Sequence, residues 1–176
     1  MKDPAKMTKD EALTVLSSWM GVPVKWLDTL ISFESRWDPK AKNPYSGARG
    51  LIQFMPSTAK DLGYSNADEL VNKNPTIGQQ LLGPVMAYFK LPASKGPWPT
   101  EQSLFMAVFV PTYRKVSPDT MLTPLQRKQN PGIDTVQDYM DLAHGIRSTK
   151  KKSSSLGLLL LCGVGIYILY RKYGGA

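Results

Sequence analysis

The chain has 176 residues, 42% of them hydrophobic and 20% charged, with a formal net charge of +8. This is enough apolar material for one core of ordinary size, and it excludes a disordered chain. Lys150, Lys151, Lys152, Arg171 and Lys172 supply five of the positive charges beyond Asp141, the last acid. That leaves about +3 elsewhere with no basic stripe interleaved with aromatics, so nucleic acid is not an expected partner.

At the N-terminus, Thr8 and Glu11 form a capping box for a first helix, which Gly21 suits as a stop. The early acids and the lack of an apolar h-region predict no secretory signal peptide, hence a domain made in the cytoplasm and not exported by the usual N-terminal route. Pro23 is placed for the first turn of a second helix. "PSTAKDLG" reads as a short helix closed by Gly63. "NPTIGQQLLGPVMAYFK" carries Ile77, Leu81, Val85 and Phe89 at near-helical spacing, with Gly83 and Pro84 expected to kink or break it. Thr100 can cap "EQSLFMAVFV", and either Asp134 or Thr135 can cap "VQDYMDLAHG". No alternating strand stands out, and six or seven short helices are expected.

After the linker-like "KKKSSS", the run from Ser153 to Tyr170 is uncharged over about 18 residues, near the lower limit for crossing a bilayer. Flanking cations and Tyr167, Tyr170 and Tyr173 fit a membrane interface. The expectation is one C-terminal transmembrane helix, anchoring the protein in lipid through Leu156 to Tyr170. The domains expected are thus 1–21, an N-terminal helical extension; 22–149, the main helical domain; and 150–176, basic linker and anchor.

Cys162 is the lone cysteine and His144 the lone histidine. Neither a disulfide framework nor a metal cluster can be assembled from them, and no metal or other cofactor is expected. A Ser-His-Asp triad would have to use His144, whose place near a helix end is explained by the helix dipole.

Glu34 raises the functional question. Leu27, Leu30, Ile31 and Glu34 fall at i, i+3, i+4 and i+7, so a carboxylate completes an apolar stripe. Either it sits at the edge and reaches water, or apolar neighbours raise its pKa until it serves as a general acid.

The segment containing it, "ESRWDPKAKNPYSGARGLIQFMPSTA", resembles the soluble-type lytic transglycosylase domain, whose fold is shared with goose-type lysozyme. Glu34-Ser35, Trp37 and Pro39 match the first motif; Gly50-Leu51-Ile52-Gln53 and Met55-Pro56, with Thr58-Ala59, match the second. The resemblance covers about residues 22 to 145. It implies an all-α, lysozyme-like domain that cleaves peptidoglycan glycan strands. In the family the glutamate protonates the glycosidic oxygen between N-acetylmuramic acid and N-acetylglucosamine. It then takes the proton from the muramyl 6-hydroxyl, closing a 1,6-anhydro ring, so that one carboxylate suffices where hydrolases use two.

By the same resemblance Ser35, Asn43 and Gln53 line the saccharide cleft, with a local cap for Ser35 and a satisfied loop amide for Gln53 as the structural alternatives. Gly47 and Gly50 read as turn glycines with positive φ. Asp38 is the nearby second acid, either a turn residue before Pro39 or the partner a hydrolase would need. The family's third motif is altered to Ala107-Val108-Phe109-Val110-Pro111, so Phe109 either lines a different subsite with Tyr113 or belongs to a core helix. "NPGIDTVQDYMDLA" resembles the final motif, which makes Tyr139 the candidate partner of Glu34. Missing leader and C-terminal anchor together suggest a virion-associated enzyme in the membrane of a bacteriophage, with virion proteins as further partners, serving passage of the genome into the cell or lysis. A cellular enzyme of the bacterial inner membrane is the alternative. A hydrolytic lysozyme, or a non-catalytic saccharide-binding or virion structural module, would also fit the fold.

Overall fold

A computed structural model describes residues 2–146. Within them the domain is all-α. Helices α1 (Lys9–Met20) and α2 (Val24–Ser35) are followed by the short α3 (Pro56–Asp61) and α4 (Ala67–Lys73). Next come α5 (Ile77–Gln80), a π-helical turn (Leu81–Val85) and α6 (Met86–Tyr88), which run on without a break. Pro84 lies inside that turn, so of the expected kink or break the chain shows no break, and wider helical winding absorbs the missing backbone donor. The chain continues through α7 (Glu101–Phe109), α8 (Pro124–Gln129) and α9 (Val136–Ala143).

Local chemistry sets most of the starts. Thr8, Thr76, Thr100, Thr123 and Thr135 each accept a hydrogen bond from the backbone N–H three residues on, and each box is closed reciprocally by the residue there. Each such cap contributes about 1 kcal/mol. The open choice before α9 falls to Thr135, whose Oγ1 accepts from Asp138 N at 3.1 Å. Gly21, at φ +67°, ends α1 as expected.

Packing then centres on α2. It meets α1 on one side and α7 and α9 on another, with Leu27, Leu30 and Ile31 fully buried. Leu104, Phe105, Met106 and Ala107 of α7 are also fully buried, which makes α7 a core helix with almost no solvent face.

The expected membrane anchor is corrected. Among the described residues no helix is long and apolar enough to cross a membrane. The longest, α1 and α2, have 12 residues each, about 18 Å against the roughly 30 Å of a bilayer core. The expected span, Leu156 to Tyr170, lies outside the described residues. The transmembrane part of the fold assignment, the lipid bilayer as partner and the single-pass placement in a virion or bacterial inner membrane are therefore withdrawn.

Candidate active site

Glu34 sits in the last turn of α2, where the apolar stripe carries it into the interior, and only 5% of its surface is exposed. Tyr139 of α9, 105 residues away in sequence, donates its hydroxyl to Glu34 Oε1 at 3.1 Å. Glu34 Oε2 is buried with no hydrogen-bond partner. Burial disfavours the anion and raises the carboxyl from its ordinary 4.5 to about 8, against the smaller lowering effect of the Tyr139 hydroxyl. At pH 7 the protonated form is therefore favoured, able to donate a proton through the oxygen that Tyr139 leaves free.

Rings hold that hydroxyl in place. Phe109 lies parallel to Tyr139 with centroids 4.0 Å apart and an interplanar angle of 11°. Phe33 and Phe105 meet the same ring edge-on at 5.4 and 6.5 Å. Contacts of this kind contribute about 0.5–1.5 kcal/mol each beyond area burial. Phe109 is only 8% exposed. Its face is committed to Tyr139, and its position is that of the core alternative. His144, the C-cap of α9, stacks on Phe105 and places Nε2 3.3 Å from Glu101 Oε2, so it fastens the end of α9 to the start of α7.

The segment linking α2 to α3 is folded by polar contacts. Arg36, Trp37 and Gln53 have φ of 54°, 64° and 51°, left-handed values that cost a non-glycine residue on the order of 1 kcal/mol each. Several bonds hold this shape. Asn43 Oδ1 accepts from Tyr45 N and Ser46 N at 2.9 and 3.1 Å, and Gln53 Nε2 donates to Gly50 O at 3.0 Å. Asp38 Oδ1 accepts from Lys40 N at 2.8 Å, as a turn residue before Pro39 would. Ser35 Oγ donates back to Ile31 O at 3.2 Å, a local cap. Trp37 lies under Lys9 Nζ, 4.0 Å above the ring centre, and its buried Nε1 has no partner.

Gln80 is the residue that sequence reasoning missed. It is fully buried. Its Oε1 accepts from Leu51 N at 2.9 Å, while Nε2 donates to Pro39 O at 2.6 Å and Asn74 O at 3.0 Å. One side chain thereby fastens both ends of the segment to the helix behind it. Gly50 makes this possible, because a Cβ there would stand 2.6 Å from Gln80 Oε1 and φ is +76°. A signal existed: Gln80 falls between Ile77 and Leu81 on an apolar stripe, the same anomaly that marked Glu34.

The structure thus brings together Glu34, Tyr139 and Phe109, with Ser35 directly beside Glu34. Asn43 and Gln53 are placed in the linking segment, where Asn43 Oδ1 and Gln53 Nε2 bond to its backbone. No group of histidine, cysteine, aspartate or glutamate suited to a metal ion occurs among the described residues.

Residues 16–93 match the family described as Transglycosylase SLT domain, and no curated protein matches the chain. The matched part contains Glu34, Ser35, Asn43, Gln53 and Gln80; Phe109 and Tyr139 lie beyond it.

Proposed function

We propose, from the match of residues 16–93 to the Transglycosylase SLT domain, that the chain cleaves peptidoglycan as a lytic transglycosylase, that Glu34 alone supplies the proton transfers and that the products end in 1,6-anhydromuramic acid. Its carboxyl, protonated at neutral pH, donates from Oε2 to the oxygen linking N-acetylmuramic acid to N-acetylglucosamine, and the bond from that oxygen to C1 breaks. The resulting carboxylate keeps the Tyr139 hydrogen bond at Oε1, which stabilises the anion as it forms. It then removes the proton of the muramyl 6-hydroxyl, whose oxygen closes on C1. Glu34 ends protonated, no water is consumed, and the site is ready for the next bond.

The observation that carries this reading is the asymmetry of Glu34, one oxygen held by Tyr139 and the other buried without a partner. Asp38 Oδ1 is engaged by the backbone of its own turn, accepting from Lys40 N. Ser35, Asn43 and Gln53 belong to the proposal as the polar residues of the segment beside the acid. Product analysis tests it: digestion of purified peptidoglycan should release muropeptides lighter by one water than those with reducing ends. Predominantly reducing ends would replace ring closure by hydrolysis.

A further inference from the structure

A surface depression of about 240 Å³ is lined by Pro92, Ala93, Pro111, Thr112, Arg114 and Lys115. Two cations and a hydroxyl line it, and no acid does. Among the described residues neither Arg114 nor Lys115 pairs with a carboxylate. Arg114 is nevertheless fixed. Its Nε donates to Pro111 O at 3.2 Å and its Nη1 to Lys95 O. Carbonyls orient a guanidinium without cancelling its charge, so the cation is held in place with its charge uncompensated. A planar, immobilised guanidinium fits a carboxylate well, because little side-chain entropy remains to be lost on binding.

Position gives this charge a purpose. Pro111 begins two residues after Phe109, the ring stacked on Tyr139, so the depression starts within about 7 Å of backbone from the group around Glu34. Its volume falls below the roughly 300–1,000 Å³ of small-molecule pockets, and suits a charged group better than a saccharide unit. Peptidoglycan strands carry on their muramic acid residues short peptides with free carboxylates. We propose that the Arg114–Lys115 depression is an anion subsite that takes a carboxylate of this peptide. The assignment rests on peptidoglycan being the substrate.

A phosphate group shares the chemistry, so the test separates the two. The full chain is titrated with a synthetic stem tetrapeptide bearing free carboxylates, with the same peptide fully amidated, and with inorganic phosphate, following the side-chain resonances of Arg114 and Lys115. The free-carboxylate peptide should shift them and the amidated peptide should not. Lys115→Gln, a change at an exposed position, should weaken that binding about two- to fivefold, as expected for a solvent-accessible charge contact. Arg114→Lys keeps the charge and loses the fork, and should weaken it as well. Equal binding of the amidated peptide, absence of any shift, or tighter binding of phosphate than of the peptide would each overturn the carboxylate assignment. Binding is read without turnover, so failure of the ring-closing chemistry at Glu34 would leave this result standing on its own.

Discussion

The segment from Glu34 to Phe54 and the rings of α7 and α9 converge on one carboxyl and are stabilised by opposite means. The first is irregular backbone with three left-handed non-glycine residues, held by the amides of Asn43, Gln53 and Gln80. The second is regular helix whose Phe105, Phe109 and Tyr139 pack face and edge around the hydrogen bond from Tyr139 to Glu34. Amide bonds are directional and fail singly, each leaving unsatisfied groups in the interior. Ring packing is spread over many contacts and degrades gradually. Damage to the first region should therefore appear as lost stability, and damage to the second as altered rate.

The largest effect is expected where the two regions meet. Glu34→Gln keeps the shape and the contact with Tyr139 but cannot supply the proton, so cleavage of purified peptidoglycan should fall at least ~10²-fold with the circular dichroism spectrum unchanged. The same variant reports on the buried acid. Because Glu34 titrates near 8 when folded and near 4.5 when not, the folded state holds the extra proton between these values. Stability of the native chain is complete below about pH 4.5 in this respect and declines as pH rises to about 8. Glutamine has no such dependence, so the variant should gain on wild type by as much as ~1.4 kcal/mol per pH unit across that window. Thermal melts at pH 4 and pH 8 compare the two; a constant difference would mean that the carboxyl is not held protonated.

Next in size is Gln80→Ala, which strands Leu51 N–H and the carbonyls of Pro39 and Asn74. At about 1 kcal/mol for each lost partner, unfolding free energy should drop by roughly 3 kcal/mol, measured by urea denaturation. An unchanged midpoint would show that the segment holds its left-handed turns without this side chain.

These two residues also mark what could be read from sequence. Glu34 announced itself because a charge on an apolar stripe breaks a short-range pattern, and the threonine caps of α1, α7 and α9 were legible because donor and acceptor lie three residues apart. Gln80 carries the same anomaly as Glu34, yet its partners are 29 and 41 residues away, and nothing local names them. The Tyr139 contact came from the family resemblance alone, since periodicity places Tyr139 only on a buried face of its helix. Its stacking on Phe109 was invisible for a similar reason: an altered third motif says that hydrogen-bonding groups are gone, not which ring has taken the space. The apolar run from Leu156 was read from length and hydropathy, which describe a segment without saying what the fold does with it.

Tyr139→Phe sharpens the contrast between the regions. The ring packing survives and only the hydroxyl on Glu34 Oε1 is lost, so melting should change little while turnover falls about tenfold, for a charge-assisted hydrogen bond of roughly 1.5–3 kcal/mol. The hydroxyl lowers the Glu34 pKa, so its removal should move the alkaline limb of the pH–rate profile upward. A limb that stays in place would detach Tyr139 from the acid.

The smallest expected effect falls on Phe109, where two roles separate cleanly. With its face 4.0 Å from Tyr139 and 8% of its surface exposed, it should act on the reaction by holding that ring and not by touching sugar. Phe109→Leu keeps an apolar side chain in the core and removes the stack, which is worth about 0.5–1.5 kcal/mol. Part of that loss loosens Tyr139 and, through it, the orientation of Glu34. The rate constant kcat should fall a few-fold at constant KM, with a small decrease in melting temperature. A saccharide platform would behave otherwise: KM would rise and kcat would hold, because the lost contact would be made equally to bound substrate and transition state. Measuring both constants on soluble glycan fragments decides between them. A rise in KM alone would move Phe109 out of the ring cluster's service and into the substrate's path.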